Sequence, residues 1–188
     1  MSNISISWTP GGGSNITGQQ VQRKTPSTSF TTIATVGPTV NSYTDTTALD
    51  NVVYIYRVLS ICTTGGPTAG NEDCAGGLVC PAGITATPSG NVVTFSLPAL
   101  GDGVQYDVVR IYQGPNTSSP LVHTQTLNIN GPTTFNVTLL YSTSYFYQVV
   151  LEAPSCPEMG TRICGGNCTT GAQPTCPAPT NLTAVLTD

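Results

Sequence analysis

Apolar and polar side chains alternate along several short stretches of the chain. Between residues 3 and 10, for example, the apolar residues Ile4, Ile6 and Trp8 are separated by polar ones. A period of two is typical of a β-strand with one buried face. Similar stretches lie at 17–24, 30–36, 42–45 and 52–59, with turn-forming residues between them. No stretch has the 3.6-residue period of a helix, so the pattern predicts an all-β protein.

The second half of the chain repeats the spacing of the first half. The repeated residues are Leu49, Tyr54, Tyr56 and Val58 in one half and Leu140, Tyr145, Tyr147 and Val149 in the other. The four tyrosines are expected in the core, and further strands are predicted at 83–86, 92–97, 104–112, 121–126, 133–137 and 144–153. A chain of 188 residues is long enough for two small domains. We therefore predict module one at residues 1–79, module two at 80–170, and a terminal segment at 171–188.

Module one resembles a fibronectin type III domain. The residues that carry the resemblance are Trp8, Val21-Gln22-Arg23, the stretch 30–36, Ser42-Tyr43-Thr44-Asp45 and the stretch 54–58. In that family an aromatic residue of the second strand and a tyrosine of the penultimate strand lie in the core of a two-sheet sandwich. The resemblance implies that Trp8 and Tyr54 take these places. Module two matches less closely, because Phe95 or Leu97 replaces the tryptophan; the resemblance implies two immunoglobulin-like β-sandwich modules.

Module one lacks the opening strand of the family, and a similar strand is found at the end of the chain. Module two opens with Cys80-Pro81 followed by Ile84, and the tail carries Cys176-Pro177 followed by Leu182. If residue 188 were joined to residue 1, the tail would precede the next strand with nearly the spacing seen in module two. The sequence therefore resembles two modules that are cut between the first two strands of one of them.

Residues 177–188 are predicted to act as a donor strand that completes module one. The buried side chains of the donor would be Leu182, Ala184 and Leu186, and the acceptor edge would be formed by Ile4, Ile6 and Trp8. A strand that adds to an exposed sheet edge gains main-chain hydrogen bonds and buries alternate side chains. Exchange between copies would form a head-to-tail homopolymer, which is a filament unless the rotation closes a ring.

Two other arrangements of the tail are compatible with the sequence. The strand could return to module one of its own chain, because an extended segment at 165–179 could reach that far at roughly 3.3 Å per residue. The chain could also be part of a longer tandem array, in which residues 177–188 begin a third module. The second arrangement leaves the missing strand of module one unexplained.

The seven cysteines indicate that the protein works in an oxidising environment. Two pairs flank expected hairpin loops, and a third pair lies near the end of the chain. The predicted disulfides are Cys62–Cys74, Cys156–Cys164 and Cys168–Cys176, with Cys80 unpaired, and other connectivities are open. The alternative is a metal site formed by Cys164 and Cys168, but no histidine lies near them.

Composition narrows the expected function. Charged residues make up 7% of the chain and the formal net charge is -4, so no basic face is available for nucleic acid. We find no signal sequence, no stretch of the ~20 apolar residues that membrane insertion needs, and no nucleophile motif, metal site or cofactor site. We therefore expect a structural protein of a phage virion or an extracellular filament, which is not an enzyme. Its partners would be copies of itself and other virion or cell-surface proteins. The alternative is an adhesin or a module that binds carbohydrate or protein.

Overall fold

The computed structural model of the protein describes residues 2–175. The strands of module one are β1 (Ser2–Ser7), β2 (Ile16–Lys24), β3 (Thr31–Val36), β4 (Ser42–Ala48), β5 (Val53–Cys62), β6 (Thr68–Ala69) and β7 (Asp73–Gly76). The strands of module two are β8 (Thr85–Ser89), β9 (Val92–Leu97), β10 (Gln105–Gln113), β11 (Leu121–Ile129), β12 (Thr133–Thr138), β13 (Ser144–Glu152) and β14 (Thr161–Thr169). The predicted all-β fold is confirmed, and the described range contains one 3₁₀ turn, at Pro157–Met159. None of its helical structure is long and apolar enough to cross a membrane.

Module two is a complete two-sheet sandwich. One sheet has the strand order β12-β9-β8, and the other has the order β11-β10-β13-β14. Phe95, Tyr106 and Tyr145 are fully buried between the two sheets. The ring of Phe95 meets that of Tyr147 edge-on, with the centroids 5.3 Å apart. Large aromatic side chains in alternate positions therefore fill the space between the sheets.

Module one has the same arrangement without one of the strands. Its larger sheet has the order β3-β2-β5, and both β6 and β7 pair with β5. Within residues 2–175, its smaller sheet contains only β1 and β4. The described part of the chain contains no strand of module one that corresponds to β8. The core cluster of this module is small and consists of Ile4, Ala48, Tyr54 and Tyr56 with the partly buried residues around them.

A hydrogen bond that recurs in both modules confirms the internal repeat. The Tyr54 hydroxyl accepts a hydrogen bond from the backbone N–H of Leu49 at 3.2 Å, and the Tyr145 hydroxyl accepts one from Leu140 at 2.9 Å. This tyrosine corner ties the loop between two sheets to the strand that follows it. All four repeated tyrosines are buried, as the sequence predicts.

Loops at one end of module two dock against module one. The backbone N–H of Val53 donates to the carbonyl of Asp102 at 2.9 Å, and the fully buried Val53 side chain packs into the core cluster of module two. The Asp102 carboxylate accepts hydrogen bonds from the backbone and the hydroxyl of Ser27. Gly103 has a φ of +79°, and a Cβ at this position would lie 2.7 Å from the Cβ of Val53. The two modules therefore share a tightly packed joint.

The disulfides differ from the predicted hairpin pairs. Cys74 is bonded to Cys156, and Cys80 is bonded to Cys164, with Cα–Cα distances of 6.1 and 5.5 Å. The predicted bridges Cys62–Cys74 and Cys156–Cys164 are therefore wrong. The reason is that Cys164 lies in the middle of β14, opposite Val149 of β13, whereas Cys156 lies in the loop that faces module one. The first disulfide crosses the joint, and the second anchors the start of module two to its last strand.

The two remaining described cysteines are free thiols. Cys62 is partly buried at the end of β5, and Cys168 is buried in the core of module two. Cys168 belongs to the core cluster of module two, and its predicted bridge to Cys176 stays a prediction. Cys176 itself lies outside the described residues.

Candidate strand-acceptor site

A groove with a volume of about 640 Å³ runs along β1 of module one. One wall is β1 itself, with the side chains of Ile4, Ile6 and Trp8. The opposite wall is formed by residues between 68 and 75, in β6, β7 and the loop between them, and Tyr56 lies on the floor. We call this feature the acceptor groove. It separates the two sheets of module one along one side of the sandwich, so the core of this module is open there.

In module two, β8 occupies the corresponding place. It pairs antiparallel with β9, so that Ala86 lies opposite Phe95, and Ile84 and Ala86 pack against the core. In module one, β1 pairs with β4 on one side, and no strand within residues 2–175 pairs with its other side. The acceptor groove is therefore the position of an opening strand, with an unpaired sheet edge beside it.

Trp8 lies at one end of the acceptor groove. Its indole Nε1 donates to the side-chain oxygen of Gln19 at 2.5 Å. Gln19 is 1% exposed, and its amide nitrogen in turn donates to the carbonyls of Gly37, Pro38 and Val40. Trp8 itself is only partly buried, so the expectation that it lies in the core is wrong. Leu97, at the corresponding end of β9, is 1% exposed because β8 covers that side of the sandwich.

A buried ion pair fixes the floor of the acceptor groove. Asp45 is 1% exposed and accepts hydrogen bonds from Arg23 at 2.5 Å, from the Tyr56 hydroxyl at 2.9 Å, and from the backbone and hydroxyl of Thr47 at 2.9 and 2.7 Å. Burial alone would raise the pKa of Asp45, but the hydrogen bonds from Thr47, Tyr56 and Arg23 lower it below its ordinary value. Burial and the neighbouring carboxylate raise the pKa of Tyr56. Both carboxylate oxygens accept hydrogen bonds, so this cluster holds Tyr56 in place.

The described cysteines do not form a metal site. Within residues 2–175 one group of three potential ligands lies close together, namely Cys74, Cys156 and Glu158. The two sulfurs are bonded to each other, so neither is a thiolate that could bind a metal. The alternative site at Cys164 and Cys168 is wrong for the same reason, since Cys164 is in a disulfide. The other member of this pair, Cys168, is a free thiol, and burial raises its pKa.

The sequence predicted one wall of the acceptor groove and missed the rest. Ile4, Ile6 and Trp8 do lie together along it. The predicted donor residues Leu182, Ala184 and Leu186 lie outside the described residues. The second wall and the support of Trp8 by Gln19 were not predicted. The position of Gln19, two residues before the buried Val21 on the same strand, marks it as inward-facing and could have identified it.

Comparisons with known proteins bear on the fold. No protein-family model and no curated protein sequence matches the chain. A solved two fibronectin type-III domain segment from chicken tenascin is similar over 89% of this chain and 92% of that one, with 15% identity and a TM-score of 0.56. The FN1-FN3 domains of chicken CNTN1 share 15% identity over 90% of this chain and 62% of that one, with a TM-score of 0.35. The chicken interferon gamma receptor alpha chain shares 10% identity over 89% and 91%, with a TM-score of 0.42. Identities this low speak to the fold alone.

Proposed function

Since the chain has the fold of two tandem fibronectin type III domains, we propose that it is a structural protein that assembles with copies of itself. Residues 177–188 of one copy form a donor strand that fills the acceptor groove of the next copy. The observation that carries this proposal is the unpaired edge of β1 beside the groove, at the place that β8 fills in module two. Strand addition to a sheet edge is an established mode of protein recognition.

The terminal segment has side chains that suit the groove. Ile84 and Ala86 pack against the core of module two, and Leu182 and Ala184 follow each other at the same interval in the tail, before Leu186. At ~25 cal/mol per Å² of apolar area, burial of two leucines contributes on the order of 3–6 kcal/mol. Main-chain hydrogen bonds add to this, and the ordering of the tail opposes it. The balance favours binding of the strand.

The course of the chain favours exchange between copies. After β14, the backbone N–H of Gly171 donates to the Gly90 carbonyl at 2.7 Å, and the Gly171 carbonyl accepts from Ser142 at 2.9 Å. Gly90 precedes β9 and Ser142 precedes β13, whereas the contacts with module one are made after these strands, at Asp102 and Cys156. The chain therefore leaves module two at the end that faces away from module one.

The segment between Gly171 and the donor strand is too short to return to the groove of its own chain. A donor that runs antiparallel to β1, as β8 runs to β9, must enter at the Trp8 end, which is the end remote from module two. The path from Gly171 then follows the lengths of β13 and β1, with nine and six residues, or about 50 Å at ~3.3 Å per residue. Residues 172–181 extend to at most about 35 Å. Residues 165–169 cannot contribute to this path, because they belong to β14, so the segment 165–179 is too short to return to module one of its own chain.

Each copy then presents an acceptor groove at one end and a donor strand at the other. Such a contact is heterologous, so it propagates as a filament unless the rotation closes a ring. The two disulfides indicate an extracellular or otherwise oxidising setting. Within that setting, we assign the filament to a phage virion or to a cell exterior.

Substitution of Leu182 tests the proposal directly. Leu182→Asp places a carboxylate beside the apolar side chains of Trp8 and Ile6, where its burial costs several kcal/mol or forces its protonation. Thr183→Asp is the matched control, since its side chain points to the opposite face of the strand. Analytical ultracentrifugation of the purified proteins should show polymers for wild type and Thr183→Asp and monomers for Leu182→Asp. Equal behaviour of the two variants would contradict a buried donor strand.

Removal of residues 177–188 provides a second test. The truncated protein should remain folded and monomeric, and a synthetic peptide of residues 177–188 should shorten wild-type polymers by capping their free grooves. Polymers of unchanged length in the truncated protein would refute donor-strand exchange. A wild-type protein that stays monomeric at high concentration would instead favour an adhesin or another binding module.

A further inference from the structure

The geometry of the acceptor groove also determines the register in which a donor strand binds beside β1. Resting on the proposed function, we infer that residues 177–188 bind in a single register, with Leu182 opposite Trp8, Ala184 opposite Ile6 and Leu186 opposite Ile4. This inference follows from the register of β8 on β9 in module two and from the correspondence between β1 and β9.

Module two provides the template for the register. In the pair β8–β9, Ala86 lies opposite Phe95, Pro88 lies opposite Val93, and Thr85 lies opposite Ser96. Phe95, Val93 and Leu97 are buried, whereas Ser96 between them is exposed. Ile84 and Ala86 are the partly buried positions of the opening strand, and Pro88 continues their face at the exposed end of β8.

The partner strands align β1 with β9. In module two, Val93 lies opposite Val137 and Phe95 opposite Phe135, whereas in module one Ile4 lies opposite Asp45 and Ile6 opposite Tyr43. Both partner strands thus present an aromatic residue, one intervening residue, and then a buried one. Ile4 corresponds to Val93, Ile6 to Phe95, and by continuation Trp8 to Leu97.

Module two suggests two placements that keep the apolar face of the tail inward, and they differ by two residues. Matching Leu182-Thr183-Ala184 to the opening strand at 84–86 gives the register stated above. Matching Cys176-Pro177 to Cys80-Pro81 instead moves Leu182 from Trp8 to Ile6. A shift of one residue is ruled out, because it turns every inward side chain to solvent.

The walls of the groove favour the first of these placements. In it, the three apolar donor residues face Trp8, Ile6 and Ile4, which line the groove along its length. The small side chain of Ala184 lies opposite Ile6, as that of Ala86 lies opposite Phe95. In the alternative, Trp8 faces a threonine, and Leu186 passes the groove lining to reach position 2. That placement buries less apolar surface.

Engineered cysteines distinguish the two registers. The expected register places Thr183 opposite Ser7, and the alternative places it opposite Ser5; both serines are exposed. Directly opposed strand residues have Cβ atoms about 4.5–5.5 Å apart and diagonal ones about 7–8 Å, so only the opposed pair can be bridged. We would compare Ser7→Cys/Thr183→Cys with Ser5→Cys/Thr183→Cys in the full chain, after mild oxidation, on non-reducing gels. Thr183→Cys alone controls for the three native cysteines outside the two disulfides, namely Cys62, Cys168 and Cys176.

A covalent ladder from the Ser7 pair, and none from the Ser5 pair, is the expected result. A ladder from the Ser5 pair alone would overturn the register and leave donor-strand exchange intact. Polymers that sediment normally but give no ladder from either pair would also overturn the register. Failure of the wild-type protein to form polymers at all would instead remove the proposed function, and the register with it.

Discussion

Loss of the disulfide across the joint should reveal how strongly the two modules are coupled. The variant is Cys74→Ala/Cys156→Ala, which removes both sulfurs and leaves no new thiol. Taken alone, this bridge closes a loop with a sequence separation of 82, for which the chain-entropy model gives about 4.5 kcal/mol of stabilisation. The bridge between Cys80 and Cys164 already closes an overlapping loop. The two contributions are therefore not independent.

The second bridge shortens the loop that the first one has to close. With Cys80–Cys164 in place, the shortest path between Cys74 and Cys156 runs through that bridge and contains about 15 residues, which corresponds to about 3 kcal/mol. The same reasoning applies when the roles are exchanged, so Cys80→Ala/Cys164→Ala is the matched control. Each double variant should lose about 3 kcal/mol of unfolding free energy, and the quadruple variant about 7.5 kcal/mol.

Urea unfolding of the four proteins measures these differences. Trp8 is the only tryptophan and reports on module one, and far-ultraviolet circular dichroism reports on both modules. The quadruple variant should lose about 1.5 kcal/mol more than the two double variants together. Strict additivity would show that the loops do not overlap as the structure indicates. A negligible effect of Cys74→Ala/Cys156→Ala would refute the bridge across the joint.

Three further substitutions test the core and the joint. Asp45→Asn should lower the free energy of unfolding by about 3 kcal/mol, because it leaves Arg23 partly buried without its counterion. Since the folded-state pKa of Asp45 is lowered, the stability of the wild type should be full above about pH 4 and fall as the pH drops through that pKa. Urea midpoints measured against pH should show a smaller dependence in the variant. Val53→Ala should cost about 2 kcal/mol by removal of two fully buried methyl groups, measured by the same unfolding assay against the exposed control Val122→Ala. Gly103→Ala adds a Cβ against Val53 at a positive φ, so the joint should open and limited proteolysis between residues 77 and 84 should become faster; an unchanged rate would contradict the packed joint.

The fold was predictable because it is encoded in local periodicity. The alternation of Ile4, Ile6 and Trp8 predicted β1, and the repeated tyrosine spacing predicted the two modules. These signals depend only on residues within a strand and its hairpin partner. The sequence does not predict the last strand, β14, because Thr161–Thr169 is rich in glycine and polar residues and has the composition of a loop. It is a strand because β13 pairs with it along its whole length.

The disulfides and the second wall of the acceptor groove were not predictable in this way. Cys74 and Cys156 meet because the joint brings a strand of one module to a loop of the other, and no local pattern contains that geometry. Nearness in the sequence favoured Cys62–Cys74 instead, but the thiol of Cys62 lies at the far end of β5 from Cys74. Trp8 was expected in the core because the resemblance assumes a complete sandwich.

Cys74 belongs both to the wall of the acceptor groove and to the bridge that reaches module two. In a filament held under tension, force would enter module one from the donor strand, as shear across the hydrogen bonds beside β1. It would leave through the sulfur atoms of Cys74 and Cys156, so the connecting peptide at 77–84 would carry little load. Each copy would thus act as a covalently reinforced link, and the seated strand would be the weakest point. An overloaded filament should part between copies, and each released copy should keep its two modules folded and able to rejoin.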